Sequence, residues 1–307
     1  MFDLLEQKKH MQDLITQLSF PLDAQKTFTD AFDRITRDKT ASARFSCLLQ
    51  EYDDTEHCSY KHLLTEVKAI GETLGIHEYT ISLLLFLCMA EKLRHRYLER
   101  GTDEEVYFNA MLDMRYKLEE CRLVYGINGS FVPQWYYRFF NLTCFALGRL
   151  QFELTVTEKQ YEIGGITLPA GSKAIYIHIP RTGTKLDHSA VLESYRLAAE
   201  MFADEFKSQP ITFMCDSWLL DPWNLTVLSP MSNIAAFIND FKMVDSGNYD
   251  DYEEMWRLFD CLCTEDTSSL PKDSSLRRAY ADRMERKEPV GWGRGLFIYQ
   301  DGKILND

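Results

Sequence analysis

The chain has 307 residues, 45% of them hydrophobic, which is enough to build the cores of more than one domain. Its net charge of −13 argues against a nucleic-acid surface, which needs a basic stripe, and against docking on anionic lipid. A phosphate-bearing ligand stays compatible with that total, because it needs only local positive potential.

Residues 1–18 bring Phe2, Leu5, Met11, Leu14, Ile15 and Leu18 close to one helical face. This stretch lacks the apolar core and small-residue cleavage site of a secretion signal, so the reading is of a cytoplasmic protein. Pro21 interrupts, and Asp23 is placed to cap a second helix with Phe28, Phe32 and Ile35 on one side. Residues 59–74 repeat the pattern through Leu63, Leu64, Val67 and Ile70, with Gly75 to close it. Residues 78–99 are apolar through the middle and end in a basic turn that suits the helix dipole. The longest apolar run, residues 83–90, is too short to cross a bilayer, and no membrane partner is expected. One more helix covers residues 103–125 and stops at Gly126, Asn128 and Gly129. Nothing in this half alternates like a strand, so an all-α N-terminal domain is predicted over 1–143. Trp135, Tyr136, Tyr137, Arg138, Phe139 and Phe140 read as core or a domain seam, with a ligand wall as the alternative.

The eight cysteines show no disulfide framework and read as reduced thiols. His57, His62, His77 and His95 share no ligand spacing, and Cys261 and Cys263 lack a second pair, so no metal is expected.

From Leu147 the period changes to two residues. Residues 149–156 put Arg149, Gln151, Glu153 and Thr155 on one face. Gly164–Gly165 and Pro169–Ala170–Gly171 are turns. In the strand 173–180, Ile175, Ile177 and Ile179 point one way, Tyr176 and His178 the other. The loop Arg181–Thr182–Gly183–Thr184–Lys185 follows, then a helix over 187–207. That strand, turn and helix start form an anion site suited to phosphate. Pro210 opens another strand, which Asp221–Pro222 breaks. Helices are predicted over 224–243 and 251–263, then a polar loop, a charged helix ending near Glu288, and a final strand with a hairpin at Asp301–Gly302. The two strands flanking the helix 187–207 are expected to be parallel. No Gly-x-Gly-x-x-Gly or Walker loop occurs.

The segments LGRLQFEL (147–154), IYIHIPRTGTKLD (175–187), CDSWLLDP (215–222) and LSPMSNIAAFINDF (228–241), set behind a helical first half, resemble a bacterial two-domain group of GNAT-like acyltransferases. In that group a helical N-acyltransferase N-terminal domain precedes a GNAT-like C-terminal domain. The resemblance implies an α+β protein: an all-α first domain, then a mixed α/β GNAT-like domain over 144–307. It implies an acyl-CoA donor and no metal. The pantetheine would lie along Ile177, His178 and Ile179, and the diphosphate on Arg181, Thr182, Gly183, Thr184, Lys185 and Leu186. Asn233 resembles the place where a GNAT helix contacts the pantetheine. The family loop is Arg/Gln-x-x-Gly-x-Gly/Ala. Here one glycine is missing and Gly183 is displaced, so a phosphopantetheinyl carrier protein is an alternative donor.

Acyl transfer from a thioester needs a base for the amine, donors for the oxyanion and a proton for the thiolate. If their strands are neighbours, Glu153 and His178 share a cleft, and either can take the amine proton; a solvated sheet face is the bland alternative. Asp216 or Ser217 is placed to hold the acceptor and Trp218 to wall the cleft. Tyr249 and Tyr252 are candidate general acids by analogy only. Cys215 as an acyl carrier needs a lowered pKa, but Phe213 and Met214 beside it predict burial. The expectation is an acyl-CoA-dependent N-acyltransferase acting on a small amine or peptide by direct attack. The alternative is an inactive GNAT-like protein that binds acyl-CoA or a partner. Oligomeric state is not readable.

Overall fold

The structure is a computed structural model that describes residues 4–207, 209–263 and 266–307. Phe2 of the first helical pattern, and Thr264 and Glu265 of the polar loop, lie outside the described residues. The chain divides into two compact units, Met1–Phe145 and Ala146–Asp307.

The first unit contains six long helices: α1 (Leu4–Gln17), α2 (Leu22–Arg37), α3 (Lys39–Thr55), α4 (Tyr60–Leu74), α5 (Glu78–Glu99) and α6 (Glu104–Tyr125); a short turn, α7 (Tyr137–Phe140), follows. The ends of α4 and α6 fall where glycine is expected to stop them, Gly75 and Gly126 both being left-handed. Helix α3 is not anticipated by the sequence pattern. Its buried residues Ala41, Phe45, Leu48, Leu49 and Tyr52 have helical spacing, but only Asp38 separates it from α2, so the boundary is hard to see. Asp38 makes that boundary by accepting from the Ala41 N–H at 2.8 Å. Asp23 does not cap α2; its carboxylate pairs with Arg122 at 2.7 Å. Leu5 faces outward, at 79% exposure, because it lies on the opposite side of α1 from Met11, Leu14 and Ile15. Tyr136, Phe139 and Phe140 are buried, and Phe86 of α5 packs its ring on Tyr136 and Phe140, so this cluster is core. Among the described residues no single helix is long and apolar enough to cross a membrane; α4 and α5 together pass that test but meet at 119°.

The second unit is built on a seven-stranded mixed sheet. Its strands are β1 (Cys144–Leu147), which starts at the unit boundary, β2 (Leu150–Val156), β5 (Lys173–His178), β6 (Ile211–Ser217), β7 (Lys242–Asn248), β8 (Gly291–Gln300) and β9 (Lys303–Leu305). The order is β1-β2-β5-β6-β8-β7, with β9 on β8, and β3 (Tyr161–Ile163) and β4 (Ile166–Leu168) form a separate hairpin. β5 and β6 are parallel, as a crossover through α8 (His188–Met201) and the short α9 (Ala203–Phe206) requires.

Two expectations are corrected here. Residues 224–243 are not one helix. Pro230 interrupts, and two short helices, α10 (Asn224–Val227) and α11 (Asn233–Asn239), give way to β7. The 251–263 helix is only a 3-10 turn and α12 (Trp256–Phe259), ended by Asp260 in the left-handed region. The charged helix, α13, covers Ser275–Glu285.

Strand β8 enters the middle of the sheet, and its glycines alternate. A Cβ on Gly293 would sit 2.1 Å from the Leu220 carbonyl oxygen, and one on Gly295 would sit 2.5 Å from Phe241 Cβ. The bare face of β8 lets the Trp218–Leu220 turn and the end of α11 press directly on the strand.

Candidate active site

The sheet has one face packed with rings. Phe213 stacks on Phe297 at 4.9 Å, with Phe152, Tyr195 of α8 and Phe241 around them. The other face carries a polar row, and register decides its membership. Glu153 lies opposite Tyr176 and Gln151 opposite His178, so all four share a face. Asp216 lies opposite Arg294, two residues on from Met214, which pairs with Tyr176. The β3–β4 hairpin covers part of this face, packing Tyr161, Ile163 and Leu168 on Met214, Leu296 and Ile298.

Glu153 and His178 meet there: Nε2 of His178 is 3.2 Å from Oε2 of Glu153, with 16% of the histidine side chain and 26% of the glutamate side chain exposed. The Tyr176 ring lies 4.8 Å from the imidazole. Burial first, then the nearby Cys215 and Asp216, hold the Tyr176 hydroxyl far above the ordinary phenol range, so it stays neutral.

Asp216 has other work. Arg294 donates from Nε to Oδ1 at 2.8 Å and from Nη2 to Oδ2 at 2.6 Å, and its Nη1 reaches Glu158 at 2.8 Å. A carboxylate engaged by this fork has little left to offer an acceptor. Ser217 is likewise engaged, its Oγ accepting from the Leu219 N–H at 3.1 Å. Cys215 is 1% exposed, and burial pushes its thiol far up, which removes the nucleophile reading. Burial also pushes Tyr249 up to about 12, and the Tyr252 hydroxyl donates to the Glu288 carbonyl at 3.1 Å.

Beside the polar row the sheet opens. The β5–β6 ladder joins only Ile175 to Phe213 and Tyr176 to Met214. Past that point each strand keeps only its outer partner: β5 pairs with β2 as far as His178, and β6 with β8 as far as Ser217. Among the described residues no β5–β6 pair follows Tyr176 and Met214, so the two strands part beside the polar row. Ile177 is buried and Ile179 half-buried beside it.

The loop after β5 carries part of the anticipated anion seat. Gly183 is left-handed, with nothing within 4 Å of where a Cβ would be. The hydroxyls of Thr182 and Thr184 bond each other at 2.7 Å. Lys185 is exposed and has no ion pair among the described residues, and Leu186 is buried. Arg181 is not open: its guanidinium pairs with Asp260, which also holds Arg277. The helix start is partly taken. Asp187 caps α8, accepting from the Ala190 N–H and the Ser189 hydroxyl, and these bonds lower its pKa. The cap takes up part of the helix terminus, which leaves the loop amides and the remaining first-turn amides for a phosphate. At α11 the cap is Ser232, accepting from the Ala235 N–H at 3.1 Å, and Asn233 follows it half-buried.

The residues that sequence reasoning does not single out are Arg294, Glu158, Asp260 and Arg149. For Arg294 a signal exists: glycine at 291, 293 and 295 strips one face of a strand and leaves Trp292 and Arg294 alone on the other. Arg149 stands on the expected polar face, but its partners lie at both ends of the loop, which periodicity cannot show.

Residues 9–142 match the N-acyltransferase N-terminal domain, and residues 144–297 match the GNAT-like C-terminal domain. The chain belongs to this two-domain acyltransferase family. No curated sequence matches it. Among solved structures, an acyltransferase in complex with decanoyl-CoA and teicoplanin is similar in fold, with a TM-score of 0.75 and 21% identity over 95% of this chain and 88% of that one. A mutant acyltransferase in complex with octanoyl-CoA gives 0.75 and 21%, over 94% and 87% of the two chains. An acyltransferase in complex with CoA and 10C-teicoplanin gives 0.62 and 19%, over 93% and 98%. These proteins share the fold of both units. Among the described residues of the present chain, no cluster of three or more His, Cys, Asp or Glu is placed to hold a metal.

Proposed function

We propose that the chain moves an acyl group from acyl-CoA to an amine by direct attack. The observation that carries this reading is the His178–Glu153 pair on the polar face of a sheet that splits beside it. The amine nitrogen attacks the thioester carbonyl carbon, a C–N bond forms, and the C–S bond breaks. The amine proton passes to the imidazole and the sulfur leaves as thiolate, which then takes up a proton. Glu153, paired with the imidazole at Nε2, orients it as the base and stabilises the imidazolium that follows. Amides along the unpaired edges of β5 and β6 supply donors for the oxyanion. The pantetheine lies in the split, beside Ile177, Ile179 and Asn233. The diphosphate rests on the loop of Thr182, Gly183, Thr184 and Lys185, between Arg181 and Leu186.

The fold relatives bound to decanoyl-CoA, octanoyl-CoA and teicoplanin support a medium-chain acyl donor and a peptide-like amine acceptor. Thiol release from acyl-CoAs of several chain lengths, measured with a set of amines and amino-bearing peptides, tests the reading. Release that depends on the amine supports it. CoA binding with no release for any amine would favour an inactive binding protein, and no binding at millimolar acyl-CoA would remove the proposal.

A further inference from the structure

The loop between β5 and α8 is shaped by a residue from outside it. Arg149, just before β2, donates from Nη1 to the Pro180 carbonyl at 2.9 Å and from Nε to the Lys185 carbonyl at 3.4 Å. One planar guanidinium thus ties both ends of the loop. The residue is itself anchored: its backbone N–H donates to Ser194 Oγ at 2.7 Å, and that fully buried hydroxyl donates to the Ala190 carbonyl of α8 at 2.8 Å. Gly148 makes the approach feasible. It has φ +64°, and a Cβ there would lie 2.7 Å from Ser194 Oγ.

Peptide planarity gives this clamp a consequence. In a trans peptide the C=O and N–H point in opposite directions. Drawing the Pro180 and Lys185 carbonyls onto Arg149 turns the N–H groups of Arg181 and Leu186 away from it. Neither N–H has an acceptor among the described residues. The loop then has two amide donors without internal partners on either side of Gly183, both turned from the Arg149 cation. Arg181, one of the loop residues expected to hold the diphosphate, is paired with Asp260 instead.

We propose that Arg149 is the positioning residue of the diphosphate seat: it sets the span and direction of the loop and supplies positive potential from behind. This inference rests on the acyl-CoA reading above. The test compares two probes by calorimetry, octanoyl-CoA and S-octanoyl-pantetheine, which lacks the diphosphate. Both are titrated into wild type, R149A and R149K. R149A is expected to weaken octanoyl-CoA by at least tenfold and S-octanoyl-pantetheine by less than twofold. R149K, with charge but no fork to bridge two carbonyls, should fall between R149A and wild type for octanoyl-CoA. If R149A does not fold, R149K carries the same comparison. Equal losses for both probes, or none for either, would overturn the role of Arg149. Failure of wild type to bind octanoyl-CoA would instead overturn the underlying reading.

Discussion

His178 is the residue on which the proposed chemistry turns, and its partner is what makes it more than a histidine on a strand. In the proposed chemistry a base has to be held and aimed, and Glu153, 3.2 Å from Nε2, is placed to do both. H178A is expected to lower kcat by about 100- to 10,000-fold with little change in the KM for acyl-CoA. E153Q should give a smaller fall in kcat. The wild-type rate should decline as pH drops and the imidazole protonates, and H178A should lose that dependence. An H178A enzyme with wild-type kcat would remove the base assignment.

Asp187 offers a second test at this scale. Its hydrogen bonds from the Ser189 hydroxyl and the Ala190 N–H lower its pKa below the reference value of 3.8. A lowered folded-state pKa contributes stability above the unfolded value, and that stability is lost as pH falls through the folded one. D187A should therefore melt below wild type at neutral pH, and the gap should shrink on acidification toward about pH 3. A gap of constant size would contradict the cap. The Glu153 carboxylate and the His178 imidazole are legible in the sequence, because the two-residue alternation of β2 and β5 puts both on polar faces and the pairing of these neighbouring strands does the rest. The commitment of Asp216 to Arg294 is not legible there, since 78 residues separate them and only sheet order joins them.

At the scale of elements, sheet order explains most departures from the pattern. β7, of which only Lys242 and Met243 fall within the expected helix, contains Asp245, Ser246, Gly247 and Asn248, which have little strand preference of their own. It is a strand because β8 lies beside it and offers a ladder. β8 in turn depends on its glycines. G293A would drive a methyl against the Met243 side-chain tip, which can swing aside, and against the Leu220 carbonyl, which cannot retreat without moving the Trp218–Leu220 turn. It should cost roughly 3 kcal/mol in denaturant unfolding of the whole chain. A loss under about 0.5 kcal/mol would show that the face is looser than described. The helical half is easier to read, because caps such as Asp103 and stops such as Gly75 and Gly126 are local. α3 escapes because its cap, Asp38, is also the end of α2.

For the molecule as a whole, the two units follow the same division that the family carries, helical first and mixed sheet second. The acidic total of −13 sets a context for a polyanionic donor: attraction has to be local, from Arg149 and Lys185 around one loop, and will be sensitive to salt. Raising ionic strength should weaken octanoyl-CoA more than S-octanoyl-pantetheine, and equal salt sensitivity would count against a charged seat. The most direct measurement is a crystal structure with a non-hydrolysable octanoyl-CoA analogue. The account predicts density for the pantetheine between β5 and β6, the diphosphate on the loop at Gly183, and the acyl carbonyl within hydrogen-bonding reach of the His178 face. Density for the analogue elsewhere, with the β5–β6 gap empty, would contradict it.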